Sequence, residues 1–146
     1  MKKLAWIALL ALLALGSATR AAEIEPVDAG TYQMDGKDGR PIQMFLRLSQ
    51  AGGKWVMEGK SGSEPWQNIS CDRGCEFRVS DAKETDAFLA TLPASMSTGF
   101  HLACIQNIAQ AFCKAMKKDD PRRGGYLMFA LVTGTPIPGS LTRVSP

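Results

Sequence analysis

The chain has 146 residues, 45% of them hydrophobic, with four cysteines, one histidine and a formal charge of +3. That length suffices for one domain with its own core, so disulfides are not needed merely to hold a fold together. The charge resides at the N-terminus: without Lys2, Lys3 and Arg20 the basic residues fall from 17 to 14, equal to the 14 acidic ones, and the electrostatic case for nucleic acid or an anionic membrane disappears.

Lys2 and Lys3 precede twelve apolar residues, 4–15, and Gly16, Ser17, Ala18, Ala21 and Ala22 follow as small residues. This is the tripartite pattern of a secretory signal, with an apolar run too short for a permanent membrane anchor. Cleavage after Ala21 puts Thr19 and Ala21 at the recognised positions; cleavage after Ala18 is the alternative. The expectation is a signal peptide over 1–21 and a single exported globular domain over 22–146, periplasmic or secreted, in a compartment where cysteines oxidise.

From 30 to 79 the sequence reads as short strands divided by turns. Asp35-Gly36-Lys37-Asp38-Gly39 suits a tight turn. Ile42, Met44, Leu46 and Leu48 then alternate with Gln43, Phe45, Arg47 and Ser49, the period of a strand with one apolar face. Ala51-Gly52-Gly53 and Ser61-Gly62-Ser63 are further breaks, and 66–71 and 75–79 read as two strands around Asp72-Arg73-Gly74. Connections this short favour neighbouring antiparallel strands.

At Ser80 the pattern changes. Asp81 and Glu84 have the spacing of a capping box, and Thr85, Phe88, Leu89 and Leu92 recur at helical spacing until Pro93. A second helix is expected over 102–117, with Ile105, Ile108, Ala109, Phe112 and Met116 as its apolar stripe and Lys114, Lys117, Lys118, Arg122 and Arg123 gathered toward its end. Residues 126–132 form an apolar run suited to a strand buried on both faces, and 141–144 a last, edge-like strand. The fold class is therefore α+β: one antiparallel sheet of about six or seven short strands, with two helices inserted before the last two strands.

All four cysteines, Cys71, Cys75, Cys104 and Cys113, are expected in disulfides that act as structural staples. A continuous helix would hold Cys104 and Cys113 roughly 13.5 Å apart, beyond the roughly 7 Å between α-carbons that a disulfide tolerates. The favoured scheme joins the Cys71/Cys75 segment to the Cys104/Cys113 segment by two long-range bridges. Two local pairs are the alternative, and they require the helix to start late or break. Neither a redox motif nor a zinc-ligand spacing is present.

His101 is the single histidine, and no nucleophile elbow, His-Glu-x-x-His pair or phosphate-binding glycine loop accompanies it. No catalytic residues, metal or cofactor are expected. Trp66 follows Pro65 at the edge of a loop rich in glycine and serine, the setting of an interface anchor. The Ser61-Gly62-Ser63 turn is similar to the serine- and glycine-bearing loop by which some periplasmic lysozyme inhibitors enter an enzyme cleft, and three residues place the chain in no family. Ser61, Ser63 and Trp66 are thus the candidate partner-binding residues. The reading that follows is a non-enzymatic exported binding protein that recognises another protein of the bacterial envelope, as an inhibitor or immunity protein does. Two alternatives stand beside it: a small cell-wall hydrolase using His101 and a carboxylate, and a carrier of an apolar ligand in a pocket lined by Phe112 and Phe129.

Overall fold

Residues 30–68 fold as their turn residues dictate. In the computed structural model, which describes residues 23–69 and 75–146, β1 (Gly30–Asp35) and β2 (Pro41–Ala51) flank the expected glycine-rich turn. Strand β3 (Lys54–Ser61) follows β2 across Gly52 and Gly53, whose φ values of 58° and 78° suit residues without a β-carbon. After the turn at Gly62, β4 (Gln67–Asn68) returns along β3. Asp72-Arg73-Gly74, read as a turn, lies outside the described residues. Strand β5 (Arg78–Val79) does not pair with β4 but lies at the opposite edge of the sheet.

Helix α1 (Ala82–Ala90) starts where the capping box places it. Asp81 Oδ1 accepts from the Glu84 amide at 2.8 Å, and the Glu84 carboxylate accepts from the Asp81 amide at 2.9 Å. The buried Phe88 stacks on Phe129 with centroids 4.8 Å apart, which pins the helix to the sheet. Pro93 then precedes a short α2 (Ala94–Gly99).

The expected helix over 102–117 is a β-hairpin instead. Strands β6 (Phe100–Gln106) and β7 (Gln110–Lys117) pair in register, with Cys104 opposite Cys113. The turn is set by Asn107, whose side-chain carbonyl accepts from the Ala109 and Gln110 amides at 2.9 and 3.0 Å. Because β7 is buried on both faces, apolar residues occupy five of its eight positions without alternating and satisfy a helical stripe and a strand equally well. The hairpin settles the cysteines too. Cys104 and Cys113 are bonded to each other across the ladder with α-carbons 4.1 Å apart, which overturns the long-range scheme for this pair. Cys75 is also disulfide-bonded, and Cys71 lies outside the described residues. The basic cluster is likewise not a helix end: Lys114 and Lys117 belong to β7, and Arg122 and Arg123 to the turn before β8 (Gly124–Ala130). At Gly124 a β-carbon would fall 1.8 Å from the Ala115 carbonyl oxygen, so only glycine lets β8 approach β7 there.

The described residues hold nine strands, more than the six or seven expected, in the order β4-β3-β2-β1-β9-β8-β7-β6-β5. The helices therefore precede the last four strands, because the second predicted helix supplies two of them. Strand β9 (Ile137–Ser145) is no edge strand: it pairs with both β8 and β1 and joins two meanders into one antiparallel sheet. Its Pro138 is tolerated where the strand has run past the β1 ladder and pairs on one side only.

The sheet curls, and its two edge strands are only two residues long. The described residues that follow β4 and precede β5 contact other strands. Ile69 accepts from the Gln110 side chain at 3.3 Å, Cys75 accepts from that of Asn107 at 3.4 Å, and Glu76 forms an ion pair with Lys54. Two cores result. On the concave face Tyr32, Leu46, Leu48, Met57, Ile105, Phe112 and Leu141 pack together. On the convex face Phe88 and its helix cover Cys104, Ala111, Cys113, Ala115, Leu127 and Phe129. Both rest mainly on apolar burial, worth about 25 cal/mol per Å² removed from water.

Candidate binding groove

Alternation along β2 shows how the concave face changes from one end to the other. The four residues that point inward are Leu48 and Leu46, 1% and 4% exposed, then Met44 and Ile42, 44% and 37% exposed. The first two are core, whereas the last two stand at an open end. Strand registers bring to that end the β1–β2 turn, the turn after Ser61, the Asn107 turn and the loop before β9.

Inside the open end lies a groove of about 460 Å³. Its walls include Met34, Met44, Leu46, Ile69, Met128 and Ile137, and its polar groups are Lys60, Ser61, Glu64 and Gln67 near the turn. Two glycines make the space. A β-carbon on Gly139 would meet the Met34 methyl at 3.2 Å, and one on Gly59 would meet Ile69 at 2.9 Å. The volume lies within the ~300–1,000 Å³ usual for small-molecule sites, and methionine walls adapt readily to irregular apolar shapes.

The sequence-derived partner residues lie at this lip. Ser61 ends β3 and lines the groove, and Ser63 is exposed on the turn, which is closed by the Glu64 amide donating to the Ser61 carbonyl at 2.9 Å. Trp66 is half-buried, with the Arg47 guanidinium 4.5 Å and the Lys60 ammonium 5.1 Å from its ring centroid. Glu58 in turn accepts a hydrogen bond from Arg47 Nε at 2.8 Å and forms an ion pair with its Nη2 at 2.7 Å. Lys60 also stands 5.4 Å from the Phe45 ring. The turn is therefore braced from the outer face of the sheet, where Trp66 packs against Arg47 and Lys60, and Trp66 does not line the groove.

The opposite end is closed by residues that sequence reading did not single out. Asp28, 1% exposed, ends a short 3-10 turn (Pro26–Asp28) that lies over the concave core. One of its carboxylate oxygens accepts from the Tyr126 hydroxyl at 2.8 Å and from the Lys114 ammonium at 2.9 Å. The other accepts from the Glu25 amide at 2.8 Å, while the Tyr32 hydroxyl donates to the Asp28 carbonyl. Burial first, and then the neighbouring Tyr126, push the Tyr32 hydroxyl far above its ordinary pKa. Tyr126 is raised by burial and by its bond to the carboxylate. Burial works against the charged form of Lys114, but the bond to Asp28 and its charge outweigh it and the net shift is upward. No local pattern announces this cluster, because Asp28 and Lys114 meet only once the sheet has curled.

The other candidates are placed elsewhere. His101 is exposed on β6 beside a recess of about 710 Å³ that Glu23, Asp81 and Lys117 also line, and Asp81 is engaged in capping α1. Phe112 and Phe129 are both 0% exposed and belong to the two different cores, so they do not line a common pocket between sheet and helices. Among the described residues no group of three or more His, Cys, Asp or Glu side chains gathers as a metal site. Compared with family models, curated proteins and solved structures, the chain finds no match in any of the three.

Proposed function

We propose that this chain is a non-enzymatic exported binding protein, delivered by a signal peptide over residues 1–21, that recognises another protein of the bacterial envelope as an inhibitor or immunity protein does. The observation that carries this reading is the exposed apolar rim of the open end, where Met44 and Ile137 are 44% and 53% exposed beside the braced Ser61–Trp66 turn. Exposed apolar side chains gathered next to a rigid aromatic are the composition of an interface centre.

A photo-crosslinking residue at Ser63 should trap one envelope protein, and the same residue at Asp119, in the turn after β7, should not. Trp66→Ala should weaken that complex more than tenfold, whereas His101→Ala should leave it unchanged. Equal trapping from both positions, or loss of function in a folded His101→Ala protein, would reject the proposal. Intact mass of the exported protein should show loss of about 18–22 residues, the spread set by the two cleavage positions.

A further inference from the structure

We infer that the free edge of β6 takes an extended segment of another polypeptide as an added antiparallel strand. Along an antiparallel pair, residues that exchange main-chain hydrogen bonds with the partner strand alternate with residues that turn them away, with α-carbons roughly 5.5 and 4.5 Å apart. Cys104 and Cys113 have theirs 4.1 Å apart, so Cys104 is of the second kind. Its carbonyl accepts from the Ser80 amide at 2.9 Å, on the side away from β7. Leu102, two positions earlier on the same strand, turns its N–H and C=O the same way. Strand β5 pairs only with Ile105 and Gln106, so among the described residues no strand meets Leu102 on that side. Unpaired main-chain donors and acceptors along a strand edge are a template for one kind of occupant, another stretch of backbone.

The cleft along this edge decides what that backbone belongs to. It encloses about 710 Å³ beside Leu102, Ala103 and Cys104. The first turn of α1 lines it through Ala82 and Thr85, and Val79 and Met116 line it from the concave side of the sheet. The edge is therefore recessed. A second folded copy carries its own β6 edge between the same walls, so the two edges cannot meet, whereas a single extended segment can enter. The volume holds roughly two dozen groups of about 30 Å³ each, the heavy atoms of about four small residues. Four residues of strand span ~13 Å, the length of β6 from Phe100 to Ala103 that β5 leaves uncovered. In an added strand the residue opposite Leu102 faces Ala82 and Thr85, and its neighbours face Ala103 and Val79. These walls are small and uncharged, and the charged groups of the cleft, Glu23, Lys117 and the capping Asp81, are of mixed sign. The segment that fits is thus uncharged, with small β-branched side chains. This edge shares no residue with the Ser61–Trp66 lip, and the inference does not rest on recognition there.

The acetylated and amidated peptide Val-Thr-Val-Thr-Val, titrated into the intact mature protein, tests the inference by amide NMR. Saturable shifts at millimolar peptide are expected for Leu102 and its neighbours on β6, and none along β3. Main-chain N–H groups alternate in direction along a strand, so N-methylation at one of two adjacent central residues should weaken binding about tenfold, and at the other should not. Leu102→Pro removes the outward N–H, a loss that an edge strand tolerates, and should likewise weaken the peptide about tenfold. Should that variant not fold, Ala82→Trp, at an exposed position, narrows the cleft and makes the same test. Absence of saturable shifts on β6, tolerance of N-methylation at both residues, or undiminished binding by the folded variant would overturn the inference. Self-association of the protein that protects the Leu102 amide would put a second copy on the edge and overturn the assignment of the occupant. Crosslinking from Ser63 reads recognition at the lip separately, so either proposal can fail alone.

Discussion

The two ends of the curled sheet are built from the same strands and yet solve opposite problems. At the closed end, inward positions of β7 and β8 carry Lys114 and Tyr126, and the segment before β1 supplies Asp28 to meet them. At the open end, inward positions of β1, β2 and β8 carry Met34, Met44 and Met128, and they line a groove. Polar groups at the closed end tie the chain together, because leaving any of them unpaired while buried is costly. Apolar groups at the open end tie nothing and leave a surface for something else. Stability and binding are thereby separated along one sheet, and substitutions should distinguish them.

The largest effect should come from the closed end. Asp28→Ala leaves the Lys114 ammonium and the Tyr126 hydroxyl without their acceptor and should cost about 3–4 kcal/mol in urea unfolding. The groove should still bind in the fraction that remains folded. If Asp28→Ala costs under about 1 kcal/mol, the closed end is not the clamp described here. Next comes the Cys104–Cys113 bridge, which closes a short loop. Replacing both with alanine should lower stability by about 2–3 kcal/mol on the chain-entropy account. It should leave the open end untouched, since the two cysteines lie in the convex core.

A smaller effect concerns acid. The hydrogen bond from Arg78, followed by that from the Asp81 amide, depresses the Glu84 pKa from its ordinary 4.5 to about 2. A depressed pKa stabilises the fold above the unfolded value, and that contribution is lost as pH falls from about 4.5 toward 2. Arg78 is 59% exposed, so solvent screening holds the effect to about 1 kcal/mol or less. Stability measured across that window should be flatter in Glu84→Gln than in wild type, and parallel curves would refute the role of this pair. The smallest effect belongs to the open end. Met44→Ser should change stability by less than about 0.5 kcal/mol while weakening whatever the groove binds. A large loss of stability instead would make Met44 part of the core and remove the contrast.

Residues whose roles are local were legible in the sequence. The Asp81–Glu84 box predicted the start of α1, the glycines at 52, 53 and 62 marked turns, and the alternation from Ile42 to Leu48 identified an inward face. Residues 102–117 were misread because burial on both faces erases the difference between the two periodicities, and Asn107 was not recognised as the turn. The error carried the disulfide scheme with it, since the distance between Cys104 and Cys113 depended on the assumed helix. Of the expected partner residues Ser61 lines the groove, whereas the methionine walls came from three strands that no local pattern links.

By itself the sequence determined the turns at Gly52–Gly53 and Gly62, the first helix, the presence of an antiparallel sheet and the neutrality of the chain after residue 21, because each depends on neighbours in sequence or on composition alone. Only the tertiary structure decided that Asp28 meets Lys114, that β9 joins β1 to β8, and that Ile42 and Met44 remain exposed while Leu46 and Leu48 do not. Those outcomes depend on how far the sheet curls and on which end the N-terminal segment covers. Curl and coverage arise from side chains far apart in the chain, whose packing free energy exists only once the strands have met.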